Sequence, residues 1–167
     1  AADGSPVLLL EQDRARWDRL QIQRGLTALT RAQRLGGAEG PYTLQAAIAA
    51  CHARAAHAED TDWTRIAALY TTLAQVRPSP VIELNRAVAI GKAHGAAPAL
   101  ALVDALCESG ALRDYGLLFA VRGDLLEQSA RHGEARIEFE RAAALATNAR
   151  DRALMRARAD ACGISMA

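Results

Sequence analysis

FAVRGDLLEQSARHGEARIEFERA, residues 119–142, is the stretch that decides how the chain is read. Phe119 is followed by Gly123, Leu126, Ala135, Phe139 and Ala142, at steps of four, three, nine, four and three residues. Each residue type has a packing reason. Gly123 and Ala135 are small where two antiparallel helices cross closely, Ala142 is small where a following unit stacks, and Phe119, Leu126 and Phe139 fill the space between them. The stretch predicts a helix pair with its turn at Gly133.

That spacing is the tetratricopeptide pattern, a helix-turn-helix unit of about 34 residues. Two more degenerate copies precede it. Ala99 stands 36 residues before Ala135 and Ala87 stands 36 before Gly123, which makes residues 79–110 a second unit. In residues 41–78, Tyr70 and Leu73 precede Pro78 by 8 and 5 residues, as in the second helix of the pattern. The expected fold class is all-α, a tetratricopeptide-like right-handed superhelix of antiparallel helix pairs with about eight helices. Repeats of this kind bind other proteins far more often than they catalyse.

Composition agrees. Hydrophobic residues make up 51% of the 167 and aromatics only 4%, with Ala and Leu dominant, which favours close-packed helices over sheets. A chain of this length is expected to bury roughly 70% of its unfolded surface around a single core. The formal net charge of +1 supplies no field that would hold nucleic acid or an anionic membrane. Cys51, Cys107 and Cys162 are odd in number and widely spaced, so neither a disulfide framework nor a CxxC metal site is expected. No signal segment and no long apolar run is present, and a cytoplasmic location is expected.

Along the chain, helix signals recur with clear punctuation. Residues 1–17 read as a junction segment continuing from an upstream region, because Val7, Leu8, Leu9 and Leu10 are consecutive apolar residues before Trp17. Residues 18–167 read as the repeat domain. Ile22, Leu26 and Leu29 belong to a first helix that stops at Gly36-Gly37. Gly40-Pro41 starts a second with Leu44, Ile48, Cys51 and Ala55 inward, ending near Ala58. Thr61 or Asp62 caps a third that Pro78 ends, and Ser79-Pro80 opens a fourth. Pro98 lies in the first turn of a fifth, Asp114 caps a sixth, Gly133 separates it from a seventh, and Thr147 or Asn148 caps an eighth.

The wording and order of GPYTLQAAIAACHARA (40–55), AEDTDWTRIAALY (58–70), PSPVIELNRAVAI (78–90), VRGDLLEQSARHGEARIEFERAAAL (121–145) and TNARDRALMRARA (147–159) carry a family resemblance. The chain resembles the C-terminal extension of those extracytoplasmic-function sigma factors that carry a tetratricopeptide-like region behind their promoter-reading domains. LLLEQDRARWDR, residues 8–19, resembles the junction within that extension. The resemblance implies a regulatory, protein-interaction module of a bacterial transcription initiation factor. Its partners would be the factor's own upstream domains or core RNA polymerase, with promoter DNA reached only through those domains. It implies no catalytic residues. Residues 1–40 supply no basic helix-turn-helix. The alternative is a free-standing tetratricopeptide adaptor that binds a partner peptide or helix.

No other chemistry is indicated. His52 and His57 stand five apart, a poor spacing for two ligands on one helical face, and Glu59, Asp60 and Asp62 lack the glycine and distal glutamate of a calcium loop. His94 and His132 each precede a glycine at an expected helix end, where an imidazole meets free carbonyls. No serine has a GxSxG setting, so no enzyme activity, metal, cofactor, small-molecule substrate or membrane contact is expected. The candidate interaction surface is the groove side of the first helices of the pairs, with Val81, Leu84 and Val88 beside Leu117, Ala120, Asp124, Glu127 and Gln128. Leu8, Leu9, Leu10 and Trp17 form the candidate junction. Arg150, Arg152, Arg156 and Arg158 form the candidate basic patch.

Overall fold

A computed structural model describes residues 13–164, and no strand occurs among them. The α-helices are α1 (Arg19–Ala32), α2 (Pro41–Arg54), α3 (Trp63–Val76), α4 (Pro80–His94), α5 (Ala96–Ser109), α6 (Gly116–Gln128), α7 (His132–Leu145) and α8 (Ala149–Ile164). The described residues divide into two compact units, one ending at Arg77 and one beginning at Pro78, where length alone suggested a single core. The division falls where Pro78 and Pro80 stop one helix and start the next. One hydrophobic cluster is drawn wholly from residues between Leu84 and Cys162. A separate one is built on Leu29, Ala47 and Ala50.

In the first unit, Asp18 caps α1 by accepting the Gln21 N–H at 2.9 Å. A π-helical segment, Gln33–Gly37, carries the chain to Gly36, whose φ of 83° ends the run as the double glycine predicted. α2 starts on Gly40-Pro41 with Leu44, Ile48, Cys51 and Ala55 buried, the expected stripe. It stops at Arg54, short of the expected Ala58, because a distant side chain takes over its end. The buried guanidinium of Arg14 donates from Nη1 to the carbonyls of His52, Ala55 and His57 at 3.0, 3.1 and 3.2 Å. Its Nη2 reaches Thr61 Oγ1 at 3.2 Å. A cation at a helix C-terminus satisfies the free carbonyls and the negative end of the dipole together. Thr61 is thereby engaged, and Asp62 alone caps α3, accepting the Arg65 N–H at 2.9 Å.

Arg14 also sits 5.2 Å from the ring of half-buried Trp17, so this end of the expected junction is stitched into the first unit. Leu8, Leu9 and Leu10 lie outside the described residues. His52 packs edge-on against Trp63 at 5.3 Å, and its Nδ1 is buried with no partner. Burial, aided by Arg14, pushes its pKa below the ordinary histidine value. The unfolded chain then takes up the proton first. The contribution of His52 to stability is complete above pH ~6.5 and is lost as pH falls below it. Urea unfolding between about pH 7.5 and 5.5 should show stability declining toward acid, with a shallower decline in His52→Gln.

The second unit holds the repeat pattern. Phe119, Gly123, Leu126, Ala135, Phe139 and Ala142 are all buried, and the five that are not glycine belong to one core. A Cβ on Gly123 would lie 2.6 Å from Cε1 of Phe139, so only glycine lets the ring press against the α6 backbone. The turn between α6 and α7 falls earlier than Gly133. Arg131 N–H bonds Leu126 O and Ala130 N–H bonds Glu127 O, both at 2.9 Å, which makes a Schellman closure with Ala130 at φ 58°. His132 is consequently the first residue of α7 and caps no helix end. Glycine is free of the steric cost that a Cβ carries in this conformation. Ala130→Gly should therefore raise stability by about 0.5–1 kcal/mol in chemical denaturation.

Two expected caps are absent. Tyr115 occupies the cap position of α6 without a side-chain bond, and Asp114 instead pairs with exposed Arg113 at 3.4 Å. Ser79 precedes α4 as expected, but its hydroxyl makes no cap bond. Gly110 closes α5 with φ 67°.

Candidate interaction groove

α6, α7 and α8 build a groove from very local causes. Gly116, the first residue of α6, lets that helix approach the end of α7. A Cβ there would stand 3.3 Å from Leu145 Cβ and 3.4 Å from Ala142 O. The turn into α8 is pinned by Asn148, whose Oδ1 accepts the Asp151 N–H at 2.8 Å while its Nδ2 donates to Asp151 Oδ2 at 2.7 Å. Arg152 Nη2 donates to Ala146 O at 2.8 Å, satisfying a carbonyl left over at the end of α7. Between these fixed ends lies an open cavity of about 420 Å³. Leu117, Ala120, Ala142, Leu145, Leu154 and Met155 line it, with Asp114, Tyr115 and Asp151 among its polar residues. Leu117 and Leu154 are 47% and 45% exposed at its edge.

The other end of the α6–α8 seam is closed by charge. Arg158 Nη2 reaches Asp124 Oδ1 at 2.7 Å and Glu127 Oε2 at 2.5 Å, and its guanidinium lies 4.4 Å from the Phe139 ring centroid. Cys162 Sγ donates to Glu127 Oε1 at 3.6 Å. Burial pushes the Asp124 carboxyl up, with Arg158 opposing.

Several expected surface residues therefore have other roles. Asp124 and Glu127 of the candidate surface and Arg158 of the candidate basic patch bridge one another between α6 and α8, each still partly exposed. Arg152 is engaged at the end of α7, which leaves Arg150 and Arg156 as exposed arginines of that patch. Leu84 is fully buried, because the face of α4 that carries it and Ala87 packs into the core. Val81 and Gln128 are exposed and Val88 is half-buried. Of the expected surface residues, Leu117 and Ala120 are the two the structure brings together in the groove.

The groove residues not foreseen as such were Tyr115, Gly116, Ala142, Leu145, Leu154 and Met155. Their signal was the apolar Leu154-Met155 pair in an otherwise arginine-rich helix, facing the small Gly116 and Ala142. Among the described residues, no group of three or more His, Cys, Asp or Glu could hold a metal ion. Asp60 Oδ2 accepts the His57 N–H at 3.3 Å in the acidic connector, where Asp62 is the α3 cap. Cys51, Cys107 and Cys162 are free thiols whose pKa values burial pushes up, which opposes reactivity. No described helix is long and apolar enough to cross a membrane.

No family model matches the chain, and no solved structure matches it. It is similar to an uncharacterized protein of Rhizobium meliloti (strain 1021), 48% identical over 159 residues. The match covers 95% of this chain and 37% of the relative, so the chain spans little more than a third of that protein's length.

Proposed function

We propose that the chain is a protein-interaction module of tetratricopeptide type, the C-terminal extension of an extracytoplasmic-function sigma factor, and that it regulates transcription initiation in the cytoplasm. In this reading α4 with α5, and α6 with α7, are repeat pairs. α8 opens the next unit, and the first helices line a shared concave side. The apolar groove between α6 and α8 carries the reading, with Leu117 and Leu154 exposed at its edge and no ligand-binding constellation beside it. The burial of all six motif residues supports the repeat type, and the motif order of the resemblance supports the parent protein. A relative of which this chain matches only 37% agrees with a module inside a longer polypeptide. The groove then takes an apolar helix face from the factor's own promoter-reading half or from core polymerase.

The test is promoter-dependent transcription by the full-length factor with core polymerase. Leu117→Asp with Leu154→Asp should change transcript yield several-fold while far-UV circular dichroism stays helical. Unchanged transcription by that folded double variant would reject the sigma-factor reading in favour of a free-standing adaptor.

A further inference from the structure

α1 has two seams, and only one of them is used by the fold. The inward seam is Ile22, Leu26 and Leu29, of which Leu29 is buried and the others half-buried. The outward seam is Leu20, Arg24, Thr27 and Arg31, continued by Arg34 in the π-helical segment that follows, at steps of four, three, four and three residues. Within α1 those steps keep side chains in line along one face of the helix. All five residues are exposed, Leu20 to 61%, and Leu35 beside Arg34 is exposed to 77%. From Arg19 to Ala38 the sequence contains no Asp or Glu, and the side chain of the preceding Asp18 is engaged as the α1 cap. Among the described residues, Arg24, Arg31 and Arg34 make no ion pair. Elsewhere the same chain pairs its arginines readily, as at Arg86, Arg122, Arg136 and Arg158.

We propose that this outward seam of α1 is a docking surface for an acidic helix of a partner protein. Arg24 and Arg31 in line on α1, with Arg34 on the π-helical turn that continues it, are matched by carboxylates at three- and four-residue steps on a facing helix, where each arginine can engage a carboxylate through two N–H groups. Leu20 and Leu35, at the ends of the row, call for apolar contacts that a phosphate backbone does not offer. Thr27, at its centre, has its hydroxyl bound to Gln23 O at 2.9 Å, so it adds no donor for a phosphate. The chain's net charge of +1 gives no wider field to hold nucleic acid. A membrane surface would need an apolar stripe on this face, and its middle positions are arginine and threonine. The seam is distinct from the α6–α8 groove, and the inference holds whatever occupies that groove.

The test places p-benzoylphenylalanine at position 27 of the full-length protein in its own cells, irradiates, and maps the attachment point by mass spectrometry. The expected adduct is to a protein helix with Asp or Glu at three- and four-residue steps. Arg24→Glu, Arg31→Glu and Arg34→Glu together should cut its yield about tenfold or more, and Lys in place of the partner's carboxylates should restore it. The matching glutamine triple variant, which carries no reversed charge, should lose the adduct while keeping its helical spectrum. An adduct to nucleic acid, to lipid or to a segment without carboxylates would overturn the proposal, as would a yield indifferent to the arginines.

Discussion

Phe139→Ala should lower the stability of the chain by about 3–5 kcal/mol, measured by chemical denaturation followed at 222 nm. The ring is fully buried among residues of α6 and α7, and the helix backbone at Gly123 is so close that no side chain there could move in to replace it. The guanidinium of Arg158 also lies over the ring, 4.4 Å from its centroid. Truncation therefore removes the transfer free energy of a phenyl group, leaves a cavity that a glycine cannot fill, and takes away the platform that holds the Arg158 bridge to Asp124 and Glu127. Phe139→Leu should cost clearly less, since most of the volume is retained. A loss below about 1 kcal/mol for the alanine variant would mean that α6 and α7 do not meet through this ring.

Arg122→Met should destabilise by about 3 kcal/mol, through the charge it strands. Arg122 on α6 donates from Nη1 to Glu138 Oε1 of α7 at 2.7 Å and from Nε to Asp104 Oδ1 of α5 at 2.8 Å. Glu138 is only 4% exposed and its Oε2 already has no partner, so Arg122 is its main compensation. Arg141, at 3.5 Å and largely exposed, is a weak substitute. The double variant Arg122→Met with Glu138→Leu should recover most of the loss, because an apolar pair needs no desolvated charge to be matched. Failure of the double variant to recover would place the cost in the exposed Asp104 contact instead.

What was legible in the sequence was what local chemistry decides. Gly36, Pro41, Pro78, Pro80 and Gly110 each bound a helix where glycine or proline geometry demands it. The six motif positions fall in the interior because their sizes encode how closely two helices cross. What was not legible depends on partners far along the chain. α2 ends at Arg54 because Arg14, some forty residues earlier, takes its last carbonyls. The α6–α7 turn sits on an alanine in a conformation that residue type ordinarily disfavours, so the nearby Gly133 was a false signal. Helical spacing put Asp124 and Glu127 on α6, but it could not show that Arg158 of α8 bridges them. Leu117 was legible as surface, whereas the groove beside it needed Gly116, Leu145 and Leu154 to be brought together by the fold.

The division at Arg77–Pro78 also sorts the chromophores. Both tryptophans, Trp17 and Trp63, lie in the first unit, and both phenylalanines, Phe119 and Phe139, lie in the second. Indole emission thus reports on residues 13–77 alone, while far-ultraviolet ellipticity sums helices from both sides of the boundary. Superimposable melting traces from the two signals would mark a single cooperative transition, and displaced traces would resolve the two units optically without any added label.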